Sequence, residues 1–456
     1  MRRYIEEQLI KWRDSEQRKP LILKGARQVG KTFVLKKFGE SSFPAFHYIN
    51  FEKNKTVHRV FEGDLEPEKI IEGLSYHLGG PIHVGKDLVI FDEIQHCPNA
   101  LTSLKYFNED LPHLHICAAG SLLGLYLPET SFPVGKVTLL SMFPMSFEEF
   151  LIGIGEERLV QTIVQSMETK NVPLIAHELL WEKLKLYFVI GGLPEVIETF
   201  RLSKEKPYQA LQEVRVKQKE LVEFYFADIA KHSGKENAMR ITQVLQNIPE
   251  QLAREQSGSV SKYRVSQAVP GISKYSRLVS SIDWLLTAGL VVKVPIANSA
   301  KLPLSAFCKY NNFKLFLFDI GVLGALTDLD PKSILGYDYG TYKGYFAENY
   351  VAQEFLASGV HNLFGWRENT AELEFVRDIG GVIIPVEVKS GNVTQAKSLR
   401  MFFEKYRPPC KVILSAKPIK IDDVNALHQY PLYLAFRFSY LCRSKEQFFN
   451  QNKNDD

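Results

Sequence analysis

The sequence predicts an α/β protein whose N-terminal part is a parallel sheet wrapped by helices. Three observations predict it. Short apolar runs recur at Leu21-Ile22-Leu23, His47 to Phe51, Leu88-Val89-Ile90-Phe91 and Leu114 to Ala119, with helix-like stretches between them. Strands that alternate with helices build a parallel sheet, because each parallel crossover needs its own long connection. The first run enters Gly25-Ala26-Arg27-Gln28-Val29-Gly30-Lys31-Thr32, which fits G-x-x-x-x-G-K-[ST] in full. The third run ends in two adjacent acids, Asp92 and Glu93.

The glycine-rich turn binds phosphate for a physical reason. Its backbone N–H groups converge on phosphate oxygens, and the helix that starts near Phe33 adds the positive end of its dipole. Gly25 and Gly30 allow the backbone angles and the close approach. Lys31 is placed to reach the β- and γ-phosphates of ATP, and the Thr32 hydroxyl to hold Mg²⁺. Asp92, at the end of a buried strand, is the expected second contact to Mg²⁺, through water, and Glu93 the group that polarises the attacking water. Ser121 follows the run that ends at Ala119 and Gly120. It fits either a sensor of the γ-phosphate or a plain turn residue.

The rest of the chain divides by pattern. From about 146 to 230 the apolar spacing is helical, as in Leu179 to Tyr187 and Glu213 to Ile229. From 235 to 335, Ile241, Val244, Leu245, Ile248 and Leu252 share a helix face, and a Gly271-Ile272-Ser273 turn follows. A second helix with Ser273 as its cap, and an Ile282 to Leu290 exit, resemble a winged helix-turn-helix, with Lys274, Tyr275 and Arg277 where DNA readers meet bases and phosphates. Such modules also serve as protein-interaction elements. Toward the C-terminus, Glu348 lies in a helix-like run, Glu372 and Glu374 share one face of a strand, and so do Glu387 and Lys389.

Composition narrows the class. The chain has 456 residues, 56 Lys+Arg and 52 Asp+Glu, a net charge of +4 that selects neither for nor against nucleic acid. Five cysteines carry no C-x-x-C pair and read as reduced thiols of a cytoplasmic protein, not as a zinc site or disulfide framework. The start, Met1-Arg2-Arg3-Tyr4, lacks the apolar core of a signal peptide, and no apolar run is long enough to span a membrane. His113 and His115 stand at strand spacing with no third ligand near in sequence, which favours core histidines. The tail 446–456 reads as disordered.

The motifs occur in a characteristic order: the loop at 25–32, Leu88 to Gln95, Ala118 to Ser121, Met142 to Leu151, and Gly191-Gly192-Leu193-Pro194-Glu195. In this the chain resembles the bacterial and archaeal AAA-type ATPases of the additional-strand, catalytic-glutamate lineage that carry a C-terminal domain of formerly unknown function. The resemblance implies an AAA-type P-loop core at 1–145, a helical lid at 146–234, the winged-helix-like domain at 235–335 and a PD-(D/E)xK nuclease-like domain at 336–445. It implies that the glycine–proline turn faces the nucleotide. It also implies that Glu348, Glu374 and Glu387 hold metal, with Lys389 orienting water or steadying charge. Two positions depart from the family. Lys136 stands where Arg is usual and loses the bidentate fork, and Glu374 stands for Asp, longer by one methylene. The expected function is Mg²⁺-dependent ATP hydrolysis coupled to action on DNA. The alternative is an ATP-dependent switch whose inert nuclease-like scaffold binds a protein partner. The AAA likeness leaves room for an oligomer.

Overall fold

The computed structural model describes residues 1–121, 132–255, 262–336, 342–391 and 397–442. The tail expected at 446–456 lies outside them. The chain divides into two compact units, Met1–Phe143 with Thr287–Gly289, and Pro144–Leu286 with Leu290–Asp456.

In the first unit, α1 (Ile5–Asp14) precedes β1 (Leu21–Lys24). Then come α2 (Lys31–Ser42), β2 (Phe46–Asn50), α3 (Pro67–Leu78), β3 (Leu88–Asp92), α4 (Pro98–Asp110), β4 (His115–Gly120) and β5 (Thr138–Ser141). Among the described residues the sheet has five strands in the order β2-β3-β4-β1-β5, with every neighbouring pair parallel. One strand, β4, therefore lies between β1 and β3. The parallel register brings the C-terminal ends of β1 and β3 to the same edge, so the glycine-rich turn and Asp92 leave the sheet together. Every residue of β3 and β4 is buried, which is why both read as apolar runs. β5 gave no strand signal. Among the described residues it pairs only with β1, on the sheet's edge, and its residues are half-buried or exposed. Phe51, Phe61, Phe91 and Phe107 pack edge to face on one side of the sheet, each such pair contributing about 0.5–1.5 kcal/mol beyond burial. His115 is wedged against Trp12 and Phe43. Burial, then Arg18 and Arg13, pulls its pKa down to about 4, so it is a neutral core histidine.

The second unit opens with helices: α5 (Phe147–Gly153), α6 (Glu157–Thr169), α7 (Leu174–Ile190), α8 (Pro194–Ser203), α9 (Pro207–Ser233) and α10 (Lys235–Glu255). Ser146 and Glu149 form a reciprocal capping box at the start of α5. Next come α11 (Val279–Thr287), β6 (Val291–Ala297), β7 (Cys308–Leu317), α12 (Ile320–Leu326), α13 (Pro331–Leu335) and α14 (Tyr342–Ala357). The chain ends in β8 (Phe364–Glu368), β9 (Ala371–Ile379), β10 (Val382–Val388), α15 (Lys397–Tyr406), β11 (Lys411–Ser415), β12 (Lys420–Asp422), β13 (Leu427–Pro431) and α16 (Phe438–Leu441). Among the described residues, one mixed sheet holds eight strands in the order β12-β13-β11-β10-β9-β8-β6-β7. Its seam is the parallel pairing of β6 with β8, Ile296 opposite Gly365. The segments read from sequence as winged helix and as C-terminal domain thus share one sheet. After the Gly271 turn the chain makes a single 3₁₀ turn, Tyr275–Arg277, whose N-cap position is Lys274 with no side-chain cap, and the α-helix starts only at Val279. Ser273 therefore stands one residue before that turn's cap position.

Asp319 joins the helices to this sheet. It follows β7, accepts from the Val322 N–H at 3.0 Å to cap α12, and accepts from the Gly192 N–H at 2.6 Å. The glycine–proline turn is fixed around it. A Cβ at Gly191 would sit 2.4 Å from Asp319 Oδ1, and one at Gly192 would sit 2.3 Å from the Met145 carbonyl oxygen. Burial raises the Asp319 pKa to about 6, against backbone N–H donors from Gly192, Val322 and Gly321. An acid whose folded pKa is raised costs stability as pH climbs from its unfolded value to its folded one. Wild-type unfolding free energy should therefore lose on the order of 2–3 kcal/mol relative to Asp319→Asn between about pH 4 and pH 6.5. Urea titrations of both proteins across that range check it, and parallel curves would refute it.

Candidate functional site

The turn after β1 is built around positions that only glycine fills without strain. Gly25 has φ 156°, and a Cβ there would lie 2.2 Å from the Met142 carbonyl oxygen. Gly30, the residue before α2, has φ 94°. Gln28 also takes a left-handed angle, φ 67°. Arg3 fixes the turn from outside. Its guanidinium donates to the carbonyls of Val29 at 2.8 Å and Phe143 at 2.7 Å.

Lys31 is 8% exposed and donates to the carbonyls of Gly25 at 2.9 Å and Ala26 at 2.7 Å. Burial pulls its pKa down to about 8, and Glu93 and Asp92 oppose that fall. Thr32, the next residue, donates its hydroxyl to Asp92 Oδ2 at 2.9 Å. The same oxygen accepts from the Tyr48 hydroxyl at 2.7 Å. Tyr48 comes from β2, where Asn50 stands opposite Asp92 and donates to the Tyr48 oxygen at 3.3 Å. The Lys36 ammonium lies 3.7 Å from the centre of the Tyr48 ring. Burial, then the Asp92 carboxylate, raises the Tyr48 pKa to about 12, which keeps the hydroxyl a donor.

Glu93 adopts φ 50° immediately after β3, a conformation that costs free energy for a non-glycine residue. Its carboxylate accepts from Gln95 at 2.5 Å. Ser121, at the tip of β4, accepts from Arg27 of the glycine-rich turn at 3.2 Å. Lys136 forms an ion pair with Glu109 at 3.0 Å.

The structure therefore brings together Lys31, Thr32, Asp92, Glu93 and Ser121 around one turn. Sequence reasoning missed Arg3 and Tyr48. Arg3 carried no signal, because its partners are backbone carbonyls 26 and 140 residues away. Tyr48 was findable: it alternates with Asn50 in a strand expected between the glycine-rich turn and the run that ends in Asp92.

Residues 17–151 match the AAA domain family. The chain carries an AAA-type P-loop ATPase domain. Its parallel sheet is typical of such a core. Residues 181–333 and 343–433 match two domains of unknown function, DUF8612 and DUF4143. No curated protein matches the chain in sequence. Among solved structures, a Walker-type ATPase of Pyrococcus abyssi is similar at 17% identity and TM-score 0.44, over 71% of this chain and 95% of that one. The Orc1 protein of Aeropyrum pernix in complex with DNA aligns at 13% identity and TM-score 0.26, over 72% and 93%. A signal transduction ATPase with numerous domains from Pyrococcus horikoshii, which carries a tetratricopeptide repeat sensor, aligns at 12% and TM-score 0.26, over 78% and 48%.

Mg²⁺ prefers hard oxygen donors. In the AAA domain the Thr32 hydroxyl and the Asp92 carboxylate supply two such oxygens within 2.9 Å of each other, so the residues fit the ion.

The C-terminal carboxylates gather on the second sheet. Phe375 pairs with Val386 in antiparallel register, which sets Glu374 beside Glu387. Glu374 accepts from the Val388 N–H at 3.0 Å, and Glu387 is ion-paired with Lys389. Burial, then Glu387 and Glu348, raises the Glu374 pKa well above the carboxylate range, and burial also raises that of Glu387. Lys314, from β7, reaches Glu348 at 3.1 Å and Glu372 at 3.5 Å. It was not foreseen, since nothing in sequence links β7 to α14. Among the described residues no group of three or more His, Cys, Asp or Glu side chains is arranged to hold a metal ion.

Removing one partner of a buried ion pair leaves an uncompensated charge, so Lys314→Met should cost about 3 kcal/mol. The double variant with Glu348→Gln should recover part of that loss. A urea-denaturation double-mutant cycle measures the coupling, and strict additivity would show that the two groups do not interact.

Proposed function

We propose that the chain is a Mg²⁺-dependent ATP hydrolase of the additional-strand, catalytic-glutamate kind, with Lys31, Glu93 and Ser121 as its reacting or sensing groups. The observation that carries this is the meeting of Thr32 and Asp92 at 2.9 Å beside the buried Lys31. The position of β4 between β1 and β3 supports the lineage. The loop from Gly25 to Thr32 cradles the triphosphate with its N–H groups. Lys31 exchanges its bonds to Gly25 and Ala26 for phosphate oxygens. Mg²⁺, bound with ATP, spreads the negative charge of the transferring phosphoryl group. Thr32 and Asp92 hold it, and Tyr48 keeps Asp92 oriented. Glu93 accepts a proton from the attacking water as that oxygen bonds to the γ-phosphorus and the bond to the β-phosphate oxygen breaks. Ser121, tied to Arg27, sits at the strand tip where loss of the γ-phosphate is felt.

For the C-terminal domain we carry two readings. In the first it cuts DNA, with Glu348, Glu374 and Glu387 as metal ligands and Lys389 beside the attacked phosphate. The adjacency of Glu374, Glu387 and Lys389 supports it. In the second, ATP switches contacts with a protein partner and the domain is an inert scaffold. The ammonium of Lys314 on Glu348 and Glu372 supports that reading, since a cation of the chain's own already shares those carboxylates.

Glu93→Gln should still bind a fluorescent ATP analogue while phosphate release falls by about 10²–10⁴-fold. Undiminished release would remove Glu93 from the reaction. Incubation of single- and double-stranded DNA with Mg²⁺ or Mn²⁺, with and without ATP, separates the C-terminal readings. Cutting that disappears in Lys389→Ala selects the nuclease; intact DNA with ATP still hydrolysed selects the switch.

A further inference from the structure

The β7 edge of the second sheet carries a concentration of positive charge that the chain as a whole does not. From 262 to 318 the sequence has eight Lys or Arg residues and one acid, Asp283, while the whole chain is only +4. Three segments of this stretch meet through their rings. Tyr263 stacks on Phe313 with centroids 6.1 Å apart, Tyr275 meets Phe313 at 5.6 Å, and Tyr310 meets Tyr275 at 5.5 Å. Lys293 fixes the Tyr275 ring: its ammonium donates to the hydroxyl at 3.2 Å and lies 4.5 Å from the centre of the Phe313 ring. Tyr263 and Phe313 are buried and Tyr275 is half-buried, whereas Tyr310 is 75% exposed.

Tyr310 is exposed where β7 bulges from its partner. Pro295 stands opposite Phe313 and Ala297 opposite Cys308, so Lys309 to Asn312 stand against a single residue of β6, Ile296. Extra residues in one strand bend it and re-aim its side chains. Among the described residues no further strand pairs beyond β7. The cations flank the rings in sequence: Lys262 and Arg264 on either side of Tyr263, Lys274 and Arg277 about Tyr275, and Lys309 before Tyr310. Arg264 is half-buried and the other four are exposed.

We propose that this edge is a docking surface for single-stranded nucleic acid, with Tyr310 as the platform on which a base stacks and the flanking cations as phosphate contacts. Cations alone would suit any polyanion. The exposed ring among them adds a π-face, on which every base can stack whatever the sequence. A duplex fits less well, because its bases are already stacked and are read only by an element that enters a groove. The segment expected to supply a reading helix does not do so. Tyr275–Arg277 is a single 3₁₀ turn, and the exposed residues of α11, Ser280, Asp283 and Thr287, include no cation. The inference stands apart from ATP turnover and from cutting at the carboxylate cluster, since it uses none of the residues assigned to either.

The test uses the full chain at low salt, in EDTA and without nucleotide, so that neither hydrolysis nor cutting enters the reading. Fluorescence anisotropy follows a labelled oligothymidylate of about 20 nucleotides, a duplex of the same length, and heparin, a polyanion without bases. The single strand should bind more tightly than the duplex. Tyr310→Ala, with melting temperature compared first, should weaken the single strand about tenfold and leave heparin unchanged, while Tyr310→Trp should retain the wild-type affinity. Lys309→Ala should lower the slope of log affinity against log salt by about 0.7. No binding of the single strand, or a duplex bound as tightly, would overturn the proposal. So would an oligothymidylate affinity that Tyr310→Ala leaves unchanged, or a loss in that variant that heparin shares equally.

Discussion

The N-terminal unit depends on keeping one ammonium group out of water. Lys31 begins α2, where a helix N-terminus already repels positive charge, and it is buried there as well. Desolvation loosens its proton and pulls the pKa down to about 8. Glu93 and Asp92, both at the end of β3, oppose that loss. They can do so only because β1 and β3 are parallel and end at the same edge, one strand apart. The sheet order is thus an electrostatic requirement as much as a packing solution. The turn is also closely confined: a side chain at Gly25 would collide with the Met142 carbonyl oxygen, and Arg3 ties Val29 to Phe143, so the turn is held before any phosphate arrives.

The second unit solves a related problem with acids. Asp319 accepts one backbone N–H from its own helix cap, Val322, and one from the distant Gly192, and Glu354 accepts from the Phe147 N–H at 3.0 Å. Burial raises both pKa values, and for Glu354 the neighbouring Glu148 and Glu149 raise it further. Glu148 is also buried, yet it receives two bonds from the Arg437 guanidinium, at 2.8 and 2.5 Å. These acids join the helical segment to the elements that flank the sheet. Asp319 and Glu354 satisfy backbone donors that an apolar side chain would leave without partners, and Glu148 satisfies the Arg437 guanidinium.

The parallel core was legible in sequence because its strands are buried on both faces and so read as unbroken apolar runs. Their observed bounds differ by about one residue. The phosphate turn was legible because its glycines and lysine are dictated by backbone geometry within eight consecutive residues. Three features were not legible. β5 is half-solvated and carries no period. The pairing of β6 with β8 links segments whose separation in sequence no local pattern spans. Arg3 and Lys314 depend on partners brought close only by folding. The winged-helix reading was drawn from local spacing across Gly271, and local spacing could not foresee that β6 pairs with β8 as well as with β7.

The two lysines beside carboxylates, Lys31 and Lys389, have opposite electrostatics, and the contrast bears on their chemistry. Lys31 is dominated by desolvation, with its closest bonds to neutral carbonyls, so its proton is loosened and it gains most from an arriving polyanion. Lys389 is half-buried, and Glu374 and Glu387 outweigh its partial desolvation and raise its pKa. A lysine held more firmly protonated cannot act as a general base; it can only supply charge or orient a neighbour. The raised pKa values of Glu374 and Glu387 have a matching consequence. A divalent cation would have to compete with their protons, with the Lys389 ammonium and with the Val388 N–H that Glu374 already accepts. Cation affinity at that cluster should therefore strengthen as pH rises, whereas at the glycine-rich turn the decisive acids are already spread between Thr32, Tyr48 and Gln95 as acceptors. One chain thus carries two acidic sites of different readiness, and the difference follows from which cation each was folded around.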